Sequence, residues 1–147
     1  MRGSKNDSFK EQVRRNSVAL ISLVVAISSL SYNTWRNEQT EYNRNQRLVS
    51  IEVLIKLEEL QELVFYNHYD RDSQSRGNPR SGWAKALTIR DLAQILEHPL
   101  PASAATLSEA WSRHWQSLGS NQASADVILE SIEDVRNDAR ELLRSLD

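Results

Sequence analysis

Hydrophobic and polar positions divide the sequence into parts that predict different kinds of helix. Residues 16–35 form a run of about twenty residues without a charged side chain. At ~1.5 Å per residue, a helix of this length extends roughly 30 Å, which matches the hydrocarbon core of a bilayer. No other part of the sequence has an uncharged run of this length. The pattern therefore predicts a single transmembrane helix over residues 17–35.

Two other interpretations of this run remain open. A cleaved signal peptide also has a short apolar segment, here residues 18–30, and residues 26–28 are an acceptable cleavage site. The run is also compatible with a buried core helix of a soluble protein. However, Tyr32 and Trp35 lie near its end, and such rings favour the membrane–water interface. We therefore expect an uncleaved membrane anchor.

The charges that flank the run predict its orientation. Residues 1–16 contain five Lys or Arg side chains, including Arg14 and Arg15 directly before the run, and only two acidic side chains. After the run, three arginines are diluted by glutamates. Because the side richer in Lys and Arg stays in the cytoplasm, we expect a cytoplasmic basic tail over residues 1–16. The C-terminal domain would then lie in the periplasm or outside the cell, anchored in the inner (plasma) membrane.

Residues 36–47 are predicted to continue the helix as a polar stalk. The large apolar side chains in and beside this segment recur at steps of seven residues: Trp35, Tyr42 and Val49. The intervening core-like positions, Gln39 and Gln46, are polar. This pattern fits a solvated helix or a polar-cored coiled coil, and we favour the solvated helix.

The predicted bundle occupies residues 48–147 and begins with its most apolar helix. A wide stripe runs along residues 48–66 and includes Leu48, Ile51, Ile55 and Phe65. A stripe this wide is typical of a helix packed on two or more neighbours, so we expect this helix to be the core element of the bundle.

Three further helices are predicted after a long polar loop at residues 67–80. Their expected ranges are 82–98, 103–118 and 122–146. Ser81 is expected to cap the first of them, and the spacing of Thr106 and Glu109 predicts a capping box at the start of the second. No segment shows the period-two alternation of a strand. The fold class is therefore all-α: a single N-terminal transmembrane helix that continues into a stalk and a small antiparallel helical bundle.

Residues that could carry chemistry are few. The chain has no cysteine, and His68, His98 and His114 have no second histidine three or four residues away. We therefore expect no metal site and no cofactor, and we expect His98 to cap a helix end. Catalytic serine motifs and phosphate-binding glycine runs are absent from the sequence, so no enzymatic activity is expected. The acidic last helix argues against a nucleic-acid partner.

These patterns favour a single-pass accessory or scaffolding protein that acts through protein–protein contacts. Arg14, Arg15, Tyr32 and Trp35 are the expected anchor residues. The partner would be another membrane protein or complex, with a homo-oligomer formed through the stalk as the alternative. Candidate partner contacts are the small and aromatic residues Ser22, Ala26, Tyr42, Trp83, Trp111 and Trp115. The other functions left open are a ligand-binding or sensory bundle around the three tryptophans and a membrane-surface regulator with the bundle in the cytoplasm.

Overall fold

The computed structural model describes residues 11, 12 and 14–146, and these residues form helices and connecting turns without any strand. Helix α1 comprises Ser17–His68, α2 Pro79–Ala93, α3 Leu100–His114 and α4 Gln122–Ser145, with a 3-10 turn over Trp115–Ser117. The predicted all-α fold is therefore confirmed. Most of the predicted cytoplasmic tail lies outside the described residues.

The chain divides into two compact units, residues 1–42 and residues 43–147. In the described part of the first unit, α1 carries the apolar segment, and its large apolar side chains are exposed. The second unit contains the rest of α1 and helices α2 to α4. Its first five residues come from the segment that the sequence assigns to the stalk.

Hydrogen bonds between distant residues show how the helices of the C-terminal unit run. Gln46 of α1 donates from Nε2 to the carbonyl of Ile95 (2.9 Å) and accepts at Oε1 from the N–H of Glu97 (3.2 Å). Arg47 donates from its guanidinium to the carbonyl of Leu146 (3.1 Å). The turn after α2 and the residue after α4 therefore meet α1 at this end of the bundle, which we name the proximal end.

The opposite, distal end is formed by the end of α1 and the loops that face it. Asn67 donates from Nδ2 to the carbonyl of Gly77, just before α2, at 2.7 Å. The imidazole of His68 contacts the carbonyl of Leu118 at 2.6 Å and Oε1 of Gln122, the first residue of α4, at 2.8 Å. Successive helices therefore alternate in direction, and the predicted antiparallel bundle is confirmed.

One apolar core holds the four helices of the bundle together. The side chains of α1 that enter this core follow helical spacing, and burying each of them contributes roughly 1.5–3 kcal/mol. Its members include Val53, Leu57, Leu60 and Val64 of α1, Ala86 and Ile89 of α2, Leu107 and Trp111 of α3, and Ile128, Ile132 and Val135 of α4. The helix over residues 48–66 supplies core side chains as expected, but Leu48, Ile51, Ile55 and Phe65 of its apolar stripe are exposed.

Helices α2 and α3 begin three residues earlier than the sequence pattern predicts. Asn78 caps α2, with its side chain accepting from the N–H of Arg80 at 3.0 Å, and Pro79 follows at the first position. Asparagine followed by proline is a stronger signal for the start of a helix than a serine, so the prediction that Ser81 caps α2 is wrong. Helix α2 also ends at Ala93, so His98 lies beyond it and does not cap it.

The predicted capping box of α3 is also wrong. Thr106 lies inside the helix, and its hydroxyl donates to the carbonyl of Ala102 at 3.1 Å. The helix instead begins at Leu100, and Pro101 lies in its first turn, where a missing N–H costs nothing. A threonine can form the same kind of bond inside a helix, which is why its spacing to a glutamate is a weak start signal.

The loop after α1 is held by one carboxylate rather than left without contacts. Asp72 accepts from the backbone N–H groups of Ser75 (2.9 Å), Arg76 (3.1 Å) and Gln74 (3.3 Å). These bonds, led by the one from Ser75, hold the pKa of the Asp72 carboxyl below its ordinary value. Part of the predicted polar loop is therefore a hydrogen-bonded turn.

Acid is expected to weaken the bundle through Asp72. Because its pKa is lowered in the folded protein, the carboxylate adds stability above its ordinary pKa of 3.8, and that contribution is lost as the pH falls through the folded-state pKa. The variant Asp72→Asn should therefore lower the thermal midpoint at about pH 6 and differ less from the wild type at about pH 3. Midpoints from far-UV circular dichroism give the comparison. Asp70→Asn is the matched control, because Asp70 accepts none of these three bonds.

Candidate functional site

The predicted anchor residues surround an apolar helical segment that no described side chain covers. Arg14 and Arg15 are exposed and helical, and the rings of Tyr32 and Trp35 lie 6.1 Å apart between centroids. Between these pairs the large aliphatic side chains are exposed all around the helix. Soluble proteins rarely expose an apolar surface of this size, so the segment needs a covering of lipid or protein. By length and composition, α1 is the one described helix that could cross a membrane.

The predicted small-residue contact lies in the same segment. Ser22 and Ala26 are exposed and one helical turn apart. The hydroxyl of Ser22 donates to the carbonyl of Val18 at 2.8 Å, so this polar group is satisfied within its own helix. A satisfied serine next to an alanine leaves a small surface that another helix backbone can approach closely.

The three predicted tryptophans do not form one surface. Trp111 is completely buried and belongs to the core, so it is not available to a partner. Its ring packs directly against Gly82 of α2. Trp83 and Trp115 are half-buried, and their rings meet edge to face with centroids 6.4 Å apart. Only these two remain as candidates for an aromatic contact surface.

An open cleft of about 690 Å³ lies beside Trp115 at the distal end. The other residues that line it are mostly polar, among them Asn67, His68, Arg71 and Gln122. Small-molecule sites of this volume are usually lined by apolar and aromatic side chains that exclude water. The cleft therefore has the size of a ligand site but not its usual lining.

His68 of this cleft closes the distal end. Because a carbonyl can only accept, Nδ1 carries a proton and donates it to Leu118. The amide of Gln122 is oriented by a bond from its Nε2 to the carboxylate of Asp126 (2.7 Å), which places Oε1 against Nε2 of His68. The Nδ1–H of His68 therefore joins the end of α1 to the Leu118 carbonyl, and its Nε2 lies next to Oε1 of Gln122 at the start of α4. Among the described residues, no group of three or more acidic or histidine side chains could hold a metal ion.

Ion pairs cover the flank of α1 that faces α2. Glu59 accepts from the ammonium groups of Lys56 (2.8 Å) and Lys85 (2.6 Å), and these bonds, with Lys56 the larger effect, hold the pKa of Glu59 below its ordinary value. On the α4 side, Arg136 pairs with Glu133 at 2.5 Å and with Glu58 at 3.6 Å. Both flanks of α1 are therefore occupied by contacts within the bundle.

The remaining face of α1 carries an exposed aliphatic surface that the sequence pattern alone did not distinguish from the core-facing side. Leu48, Ile51 and Ile55 are 56%, 44% and 48% exposed, and we name them the outer stripe. Their spacing of three and four residues places them on one side of the helix. The sequence did contain a sign of this surface, because the apolar stripe of residues 48–66 is wider than the face of α1 that the bundle buries.

The structure also shows which face of α1 is already used. Tyr42 is itself exposed, but steps of four and seven residues from it lead to Gln46, which is buried, and to Val49, which packs against the core. Sequence reasoning missed Gln46, whose amide joins α1 to the turn after α2. Its only signal was a polar residue at a core-like position. The face of α1 that carries Gln46 and Val49 is therefore already used within the bundle.

No protein-family model matches the chain, and no curated protein or solved structure is significantly similar to it.

Proposed function

We propose that the protein is a single-pass, membrane-anchored accessory or scaffolding protein that acts through protein–protein contacts. The outer stripe is the observation that carries this proposal. Its three aliphatic side chains are exposed, lie on one side of α1 and match the spacing with which helices pack on each other. Exposed apolar patches on a folded domain mark interaction sites.

The proposal includes a position in the cell. The apolar segment acts as an uncleaved anchor in the inner (plasma) membrane, with the tail before Arg14 in the cytoplasm and the bundle in the periplasm or outside the cell. Two features support this arrangement: the exposed arginine pair before the segment, and the contact between Tyr32 and Trp35 near its end.

A ligand-binding or sensory role is the second candidate, and the cleft beside Trp115 is the observation that favours it. A ligand present at a hundred times its dissociation constant would stabilise the protein by about 2.7 kcal/mol. The polar lining supports this role less than the outer stripe supports protein contact. A saturable rise of the thermal midpoint with one metabolite would reverse that order.

Charge placed on the outer stripe should remove the protein's partners. We compare the full-length wild type with the full-length double variant Ile51→Glu, Ile55→Glu, each purified in mild detergent. The amount of co-purifying protein should be at least about tenfold lower for the variant, because apolar anchors carry most of the energy of an interface. Co-purifying protein includes differently tagged copies of the chain, and its amount is measured by quantitative mass spectrometry.

A matched control is Val127→Glu, which places the same charge on an exposed apolar residue of α4. This variant should keep its partners. The proposal is wrong if the double variant retains all of them while its circular dichroism stays that of the wild type. It is equally wrong if nothing co-purifies with the wild type.

A further inference from the structure

We propose that His68 is a pH-sensitive latch, which holds the end of α1 to the start of α4 while its imidazole carries two protons. All residues of the latch lie in the C-terminal unit, at the distal end of the bundle. Neither the outer stripe nor the apolar segment takes part, so the latch goes beyond the scaffolding role. His68 and Gln122 also line the distal cleft, and the latch therefore forms part of its wall.

Four groups at the distal end form one chain of polar contacts. The imidazole of His68 lies between the carbonyl of Leu118, 2.6 Å from Nδ1, and Oε1 of Gln122, 2.8 Å from Nε2. The other end of the Gln122 amide donates from its own Nε2 to the carboxylate of Asp126 at 2.7 Å. A carbonyl and a carboxylate only accept hydrogen bonds, so both ends of this chain require a donor from the middle.

Only a doubly protonated imidazole satisfies every contact of the chain. With a proton on each ring nitrogen, His68 donates to both Leu118 and Gln122. A neutral imidazole keeps its one proton on Nδ1 for Leu118, and the lone pair of Nε2 then faces Oε1 of Gln122 at 2.8 Å. Turning the Gln122 amide over only moves the conflict, because its oxygen would then face the Asp126 carboxylate. Loss of one proton therefore breaks a contact between α1 and α4.

The charged and titratable groups around His68 act in both directions. The ring of Tyr69 meets the imidazole edge to face with centroids 4.8 Å apart, and Arg71, beyond the end of α1, lines the same cleft. From α4, Asp126 acts on His68 through the Gln122 amide. Arg71 opposes a positive charge on the ring and Asp126 favours it, so the directions of the hydrogen bonds decide. The other described residues of the cleft carry no charge, among them Pro79, Trp115 and Gln116.

The sign of the pH effect follows from this geometry. Histidine side chains change their charge between about pH 5 and pH 8. Because protonated His68 makes one more hydrogen bond in the folded chain, the latch adds stability at the acid end of this range and loses it as the pH rises. Asp72 acts at lower pH, since its contribution is lost below the ordinary pKa of 3.8. The two effects can therefore be measured separately.

Nitrogen NMR of the full-length protein in detergent tests the protonation of His68 directly. Proton–nitrogen correlation spectra distinguish a ring with two N–H groups from a ring with one, and the signals that disappear in His68→Gln assign this residue. At about pH 7, the doubly protonated fraction of His68 should be at least about twice that of His114. His114 is the internal control, because its Nδ1 contacts Oγ of Ser124 at 3.2 Å, and a hydroxyl can donate or accept.

Thermal midpoints from far-UV circular dichroism measure what the latch contributes. From pH 5.5 to pH 8, the midpoint of the wild type should fall by about 3 °C more than that of Asp126→Asn. An asparagine amide can donate or accept, so the Gln122 amide is then free to turn and offer an N–H to neutral His68. The matched control is Asp134→Asn, the same change at an exposed position of α4, which should keep the pH dependence of the wild type.

Two results would overturn the latch. One is a His68 ring that is doubly protonated to the same extent as that of His114. The other is an equal pH dependence in Asp126→Asn and Asp134→Asn, because the contact through Gln122 would then have no effect. If Asp126→Asn does not fold, Gln122→Met takes its place, since a side chain without Oε1 should also remove the extra pH dependence. None of these results bears on the outer stripe, whose partners are tested separately.

Discussion

Replacing Gly82 by valine is expected to destabilise the bundle more than any surface change. A side chain at this position would overlap ring atoms Cζ2 and Cη2 of Trp111. The ring cannot move aside, because Trp111 is 0% exposed and lies in the middle of the core. Overpacking of this kind costs about 3 kcal/mol at the upper end of its usual range. Urea unfolding of the full-length protein in detergent, followed by far-UV circular dichroism, measures the change in the free energy of unfolding.

Two further variants connect this cost to the Trp111 ring. Trp111→Leu alone should also destabilise by about 3 kcal/mol, because it leaves a cavity. The double variant Gly82→Val, Trp111→Leu should be more stable than the sum of the two changes by about 1 kcal/mol or more, since the new side chain fills part of that cavity.

Gly119→Ala serves as the control for these core variants. A Cβ there would lie 3.0 Å from Oδ1 of the Asn67 side chain and at ordinary contact distance, 3.6 Å, from the Asn67 carbonyl oxygen, so its cost should stay below about 1 kcal/mol. Strict additivity of the two core changes would contradict the close packing of Gly82 on Trp111.

The bundle could be predicted from sequence because its four helices each carry enough apolar residues at helical spacing. Helix α4 was located within one residue, since Asn121 gives a clear cap and the apolar spacing continues to the end. The starts of α2 and α3 were less exact. There proline determines where the helix begins, and the competing Ser and Thr signals are satisfied by local bonds instead.

The interaction surface could not be located from sequence for a related reason. An amphipathic pattern shows that Leu48, Ile51 and Ile55 are apolar, but it does not show how many neighbours α1 has. The rest of the bundle covers only part of the α1 circumference, and the ion pairs of Glu59 with α2 and of Glu58 with α4 lie at the two edges of the covered part. The structure therefore shows that the outer stripe is exposed, which its sequence pattern alone could not show.

The same geometric information separates the tryptophans. Sequence spacing places Trp111 and Trp115 one turn apart on α3, but α3 ends at His114, and the 3-10 turn that follows changes the direction of the second ring. Trp111 therefore enters the core while Trp115 remains half-buried beside Trp83. Sequence patterns do not locate helix ends exactly enough to show that α3 ends between Trp111 and Trp115.

Arginines placed in the middle of the apolar segment are expected to abolish membrane insertion. Val24 and Val25 lie near the centre of residues 17–35 and are exposed around the helix. An arginine at the centre of a spanning helix raises the free energy of membrane insertion by about 2.5–3.5 kcal/mol, so Val24→Arg with Val25→Arg raises it by about 5–7 kcal/mol. The remaining aliphatic residues of the segment contribute less than this in favour of insertion. The matched control is Ser17→Arg with Val18→Arg, because long side chains near the end of a span reach the interface.

The measurement is the labelling of single cysteines in intact spheroplasts. Ser112→Cys, exposed on α3, should react almost completely with a membrane-impermeant maleimide, and Ser4→Cys should react only after lysis. The central arginines should remove the outside labelling of position 112, and the terminal pair should leave it unchanged. Labelling of position 4 but not 112 from outside would reverse the orientation. A soluble chain that begins near Ser29 would show that the segment is a cleaved signal, and the anchor would then have to be abandoned.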